Sequence, residues 1–241
     1  MKRNDINLNK KKYITVGASI LSADLLNLES EIRKLHKNGV DMIHFDVMDG
    51  VFVPNISYGM PVLEAINRID TDELSMLLDV HLMITDPLKY ISAFEKAGAD
   101  RITFHLESES DTVETIKAIH SVGCLAGIAI NPDTPAEAVF PYIHSTEFSY
   151  PYLNSFADII LVMTVQPGFG GQQFMDMSDK IRKIREYADK NSAHEVRIAV
   201  DGGIDDKTAT IVKNAGADIL ISGSYLFNAD DMKKAVRILE A

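Results

Sequence analysis

Cysteine occurs once among the 241 residues, at Cys124. No intrachain disulfide can form and no thiolate zinc motif can be assembled, which fits a reducing compartment. Long apolar runs are missing too. The longest, "ADIILVM" at 157–163, falls far short of the roughly 20 residues that cross a bilayer. The opening "MKRNDINLNKKKY" is basic and polar, without the apolar centre of a signal peptide, so residues 1–12 are expected to form a flexible tail. Basic residues are outnumbered, 24 Lys and Arg against 35 Asp and Glu, for a formal net charge of -11. Such a charge repels nucleic acid and anionic membrane, leaving neither as an expected partner. A small anion is still compatible, because screening within roughly 8 Å lets local dipoles decide. A soluble cytoplasmic protein is the expectation.

Linkers rich in Ser, Gly and Pro are also absent, so 13–241 reads as a single domain. Three segments repeat one pattern: "KNGVDMIHFDV", "KAGADRITFHL" and "NAGADILISGS". In each, a helical pattern stops at Gly39, Gly98 or Gly216, an acid follows two residues later, and an apolar run begins. Glycine just past a helix end closes the last turn. The apolar run then suits a strand buried on both faces of a parallel sheet. Strands are predicted to start near Tyr13, Val40, Ser75, Asp100, Cys124, Ala157, Val196 and Asp218, each followed by a helical pattern. Eight such units with right-handed crossovers predict an α/β fold, a single closed (β/α)₈ TIM barrel.

Functional groups in such barrels collect at the C-terminal strand ends. His44 and Asp46 would end strand two, His81 would end strand three with Asp79 two residues deeper, and Asp201 would end strand seven. One histidine there is commonly a satisfied polar residue, but imidazoles and carboxylates gathered from three strands suit Zn²⁺, Mn²⁺, Fe²⁺ or Co²⁺. Backbone N–H groups freed by Gly168, Gly170 and Gly171 in "TVQPGFGGQQF" can wrap an anion. Gly223 and Ser224 are expected to open a turn toward the last helix, whose N-terminus also favours negative charge. Neither loop carries Lys or Arg, so amides and Ser224 would do the binding. Met48, Met83 and Met163 lie near strand ends; methionine usually fills core gaps, yet three around one mouth would exclude water. Metal, paired acids and an anion grip point to a sugar phosphate. With Asp46 and Asp201 on opposite faces of the substrate, one acid could remove a carbon-bound proton and the other return one, inverting the centre.

The motifs "SILSADLLNL", "IHFDVMDGVFVPN", "DVHLMI", "AGADRITFHLE", "GIAINPDTP", "MTVQPGFGGQQF", "VDGGI" and "SGSYLF", in order from Tyr13 to the C-terminus, resemble the ribulose-phosphate 3-epimerase family. The resemblance implies interconversion of D-ribulose 5-phosphate and D-xylulose 5-phosphate in the pentose phosphate pathway. It implies one divalent metal ion per subunit, held by His44, Asp46, His81 and Asp201. Asp46 would accept the proton and Asp201 donate it, the roles reversing with direction. Substrate contacts would come from Ser19, His81, Gly168, Phe169, Gly170, Gly171, Asp201, Gly202, Gly203, Gly223 and Ser224. A homo-oligomer is expected. The stretch "PYIHSTEFSYPYLNSFAD" at 141–158 is longer than the family pattern and rich in aromatics, suited to covering the barrel or contacting another subunit.

Two rivals stand beside this reading. A D-allulose 6-phosphate 3-epimerase would use the same metal and acids on a longer sugar. A non-catalytic barrel that only binds a phosphorylated metabolite would be expected to lack an acid or a ligand, and all four are present. Schiff-base chemistry needs an interior lysine, which none of the predicted strands contains.

Overall fold

Four acids that immediately precede strands share a structural task. Asp41, Asp100, Asp158 and Asp218 each accept the backbone N–H near the start of the neighbouring strand, from Val16, Leu78, Ala126 and Ile198 at 2.7–2.9 Å. The first amide of each of these strands bonds a backbone carbonyl, and the carboxylate takes the next one, which would otherwise be left unsatisfied. Gly98 and Gly216 precede two of these acids and adopt left-handed φ values of 113° and 110°, closing their helices. These features belong to a computed structural model that describes residues 14–69, 76–143, 155–191, 193 and 196–241. The expected tail at 1–12 lies outside the described residues, as do residues 144–154 of the aromatic stretch.

Eight strands follow one another: β1 Thr15–Ser19, β2 Met42–Met48, β3 Leu77–Met83, β4 Arg101–His105, β5 Leu125–Ile130, β6 Ile159–Met163, β7 Arg197–Asp201 and β8 Ile219–Ser222. Each pairs in parallel with the next and β8 closes on β1. The helices are α1 Leu28–Lys37, α2 Met60–Asn67, α3 Ile91–Ala97, α4 Thr112–Ser121, α5 Ser178–Lys190, α6 Thr208–Ala215, α7 Ser224–Phe227 and α8 Met232–Glu240. Among the described residues, no helix is long and apolar enough to cross a membrane.

The period of two in each strand separates two cores. Ile43, Phe45 and Val47, with their counterparts Val80, Ile102, Ile160 and Val200, pack outward against helices that supply Ile32, Leu35, Ile116, Ile184 and Leu239. The alternate residues Met42, Leu77, Leu161, Ala199 and Ile221 fill the barrel interior. Every residue of β2 and β3 is buried, as the apolar runs required. His44 and Asp46 therefore share the inner face with Met42 and Met48.

Two expectations need correction. The fifth connection is no α-helix: Ala136–Tyr142 forms a 3₁₀ helix, and Pro141 inside it has no N–H to give to an α ladder. The turn after β8 does not run into the last helix either. Gly223 precedes the single turn α7, and α8 starts later, capped where Asp231 accepts the Lys234 N–H.

Candidate active site

Register brings the polar residues together. His44 lies opposite Asp79 and Asp46 opposite His81 across β2 and β3, Ser19 pairs with His44, and Asp79 with Arg101. Asp201 ends β7, three strands round the ring from β2.

At the bottom of this cluster Arg101 forks onto Asp79, Nε lying 2.5 Å from Oδ1 and Nη2 bonding Oδ2. Burial opposes charge on Asp79, but Arg101 and then His44 outweigh it and hold the carboxyl well below its usual range. An ionised Asp79 can only accept, so His44 donates from Nδ1, 2.6 Å from Asp79 Oδ2. A bound metal would leave its other nitrogen a lone pair to share. That Nε2 is buried and has no hydrogen-bond partner, and it lies 3.2 Å from Asp46 Oδ1 and 3.7 Å from Asp201 Oδ2.

Asp46 Oδ1 is also 3.0 Å from His81 Nδ1, while Ser19 Oγ donates to Oδ2 at 2.6 Å. His44, Asp46, His81 and Asp201 offer ligand atoms that all lie within 4.8 Å of one another. Electron-rich atoms packed this closely repel unless a cation lies among them. Two imidazoles and two carboxylates are donors suited to Zn²⁺, Mn²⁺, Fe²⁺ or Co²⁺, and the orphaned His44 Nε2 faces the place such an ion would fill. The residues fit a divalent metal.

The two acids differ in protonation. Burial disfavours charge on Asp46, but His44 and His81 overcome it and keep the carboxyl far below its ordinary value. For Asp201 the help from His44 and from the Gly202 N–H is outweighed. Burial, and then the charge of Asp46, push its carboxyl up to about 7. Neighbouring acids driven apart in this way divide the tasks of base and acid.

Above them opens a cavity of about 1090 Å³ with Asp46, Asp201 and Ser19 at its base. Met48, Met83 and Met163 line its wall, and the glycine segments 168–171, 202–203 and 223 with Ser224 and Phe169 line its far side. His44 and His81 are fully buried and do not line it. Lys234 of α8 also lines it. Conversely, α7 is only one turn long, so little helix dipole acts at Ser224.

A sequence model of the ribulose-phosphate 3 epimerase family matches residues 15–227. The ribulose-phosphate 3-epimerase of Bacillus subtilis is 43% identical over 224 residues, covering 92% of this chain and 96% of that protein. The cytoplasmic isoform from Oryza sativa is 37% identical, covering 93% and 92%. The chain belongs to the ribulose-phosphate 3-epimerase family. Among solved structures, 3-hexulose-6-phosphate synthase from Salmonella typhimurium superposes with a TM-score of 0.67 at 18% identity, covering 94% of this chain and 97% of that one. At that identity the likeness is one of fold.

Three residues beneath and beside the family's motif positions were missed from sequence. Arg101 could have been found, since an arginine within an apolar strand needs a buried counter-charge. His105 and Glu107 follow it four and six residues on, His105 on the inner face of β4 with Nε2 2.9 Å from His81 Nε2.

Proposed function

We propose that the chain epimerises C3 of D-ribulose 5-phosphate to give D-xylulose 5-phosphate, moving a proton between Asp46 and Asp201. The observation that carries this reading is the pair itself: acids from β2 and β7 meet at one cluster of donors and are driven to opposite protonation states. A divalent cation held by His44, Asp46, His81 and Asp201 would withdraw electrons from the substrate's carbonyl and adjacent hydroxyl, acidifying the C3 hydrogen. Asp46, kept ionised and oriented by the Ser19 hydroxyl, takes that hydrogen as a proton. The electron pair left behind enters a planar enediolate. Asp201, the protonated partner, delivers its proton to the opposite face, and the roles exchange for the reverse reaction.

The remaining cavity serves this exchange. Backbone amides around Gly168–Gly171 and Gly202–Gly203, with Ser224 and Gly223, hold the phosphate, and Phe169 lies beside them. Met48, Met83 and Met163 keep bulk water from the planar species. Residues 13–241 act as one catalytic unit. A cytoplasmic location is supported by the single cysteine and by the rice relative's designation. Assembly with further copies is supported by the exposed side chains of Leu26, Val51 and Ile56.

Incubation with D-ribulose 5-phosphate in D₂O tests the reading. Deuterium is expected at C3 of both sugars, together with xylulose 5-phosphate. Faster turnover of allulose 6-phosphate would move the assignment to the hexose, and no exchange by cation-loaded protein would remove it.

A further inference from the structure

One chain of hydrogen bonds leaves the cluster and is not used by the proton transfer. His81 Nε2 meets His105 Nε2 at 2.9 Å, His105 Nδ1 meets Glu107 Oε2 at 3.2 Å, and Glu107 Oε1 accepts from the Asn131 N–H at 2.8 Å and from the Thr134 hydroxyl. Both imidazoles are fully buried, and their rings stack at 25° with centroids 5.0 Å apart.

The positions of the hydrogens follow from donors and acceptors. Two ring nitrogens 2.9 Å apart share a single hydrogen, so one donates and the other accepts. A carboxylate that already takes two donors on Oε1 is an acceptor on Oε2 as well, so His105 carries its hydrogen on Nδ1. A neutral His105 then accepts at Nε2, and His81 must donate from its own Nε2. That leaves His81 Nδ1 a lone pair to give to the cation that Asp46 Oδ1, 3.0 Å away, would also hold. Glu107 thus selects the tautomer of a residue two hydrogen bonds away.

We infer that His105 and Glu107 are positioning residues that lock His81 into its metal-binding tautomer, through a carboxylate–imidazole–imidazole relay. The inference rests on the metal reading above. The mirror arrangement is built by Asp79 on His44, but there one hydrogen bond suffices. Outer partners of this kind commonly alter metal affinity by roughly 10–100-fold.

Glu107→Gln isolates the effect, because the amide is nearly isosteric. Its oxygen can keep the Asn131 and Thr134 hydrogen bonds while its NH₂ faces His105 Nδ1. That reverses every donor in the chain and places a hydrogen on His81 Nδ1. Binding of Co²⁺ to metal-free protein, read by its visible absorption, is expected to weaken roughly 10–100-fold. Nitrogen-15 imidazole NMR of the metal-free protein should show His105 protonated on Nδ1 in the wild type and on Nε2 in the variant. Thr134→Val, which removes only an outer hydroxyl, should lower the melting temperature yet keep Co²⁺ affinity within about threefold of the wild type. Equal Co²⁺ affinity in Glu107→Gln and wild type, or an unchanged His105 tautomer, overturns the relay. No Co²⁺ uptake by the wild type itself overturns the metal reading instead.

Discussion

Asp79 joins Arg101 to His44 inside the barrel, accepting the guanidinium fork on one side and the imidazole Nδ1–H, at 2.6 Å, on the other. All three side chains are essentially buried, so the arginine has no route to water if the acid is removed. Asp79→Asn is expected to destabilise the fold by roughly 3–5 kcal/mol, the cost of an uncompensated buried charge. Urea denaturation measures it. Asp79→Asn/Arg101→Met should recover part of the loss, and a single variant as stable as wild type would show that the charge pair is dispensable.

Metal-free protein should carry a pH signature of Asp201. Its folded carboxyl titrates at about 7, above the ordinary 3.8, so the folded chain keeps a proton that the unfolded chain has released. Stability from this group falls as pH rises from about 4 to 7. His44, raised well above 6.5 because Asp46 and Asp79 outweigh its burial, adds stability below 6.5 that is lost as pH climbs through its folded value. His105 is lowered to about 4, mainly by burial, and acts oppositely between 4 and 6.5. Only a difference separates them. Asp201→Asn should gain stability relative to wild type from pH 4 to 7 in chelator-treated samples, and a flat difference in melting temperature would refute the raised carboxyl.

Parallel strands announce themselves locally, which is why so much of the barrel was legible. An apolar run after a helix-ending glycine needs no distant information, and β4 and β8 begin one residue from the positions expected at Asp100 and Asp218. His44 and Asp46 could be set on one face because alternation is a property of the strand itself. Pairings across strands leave no such trace. Asp79 and Arg101 are 22 residues apart and His44 and Asp79 are 35 apart, joined only by register round the ring. The relay through His105 and Glu107 was hidden for the same reason. The fifth connection failed differently: its apolar spacing looks helical, but Pro141 withholds an amide an α-helix requires.

Gly203 has a φ of 63°, and a Cβ built there would lie 2.8 Å from Phe174 N and 2.9 Å from Phe174 Cα. Backbone cannot swing aside as a flexible side chain would. Gly203→Ala should therefore displace the segment that carries Gly168–Gly171, raising KM for ribulose 5-phosphate more than it lowers kcat and costing roughly 1–3 kcal/mol of stability. Gly171 has a similar φ of 70° but open space around it, so Gly171→Ala should cost only the left-handed strain of roughly 1–2 kcal/mol. Steady-state kinetics and melting curves compare the two, and equal KM values would argue against packing at Gly203 as the cause.

The assignment of Asp46 and Asp201 to opposite faces is testable from each substrate separately. Replacing either acid with asparagine should lower epimerisation on the order of 10²–10⁴-fold, the usual contribution of a positioned acid or base. Exchange with solvent should divide more sharply. Asp201→Asn retains Asp46, with Ser19 Oγ 2.6 Å from its Oδ2, so D-ribulose 5-phosphate should still take up deuterium at C3 in D₂O without forming xylulose 5-phosphate. Asp46→Asn should exchange D-xylulose 5-phosphate instead. Both variants lose a charged donor from the four-residue cluster, so the measurement belongs under saturating Co²⁺, with occupancy checked by absorption. If occupied variants exchange both sugars at equal rates, a single group serves both faces and the two-acid account fails. If the selectivity is reversed, the acids remain but their faces must be interchanged.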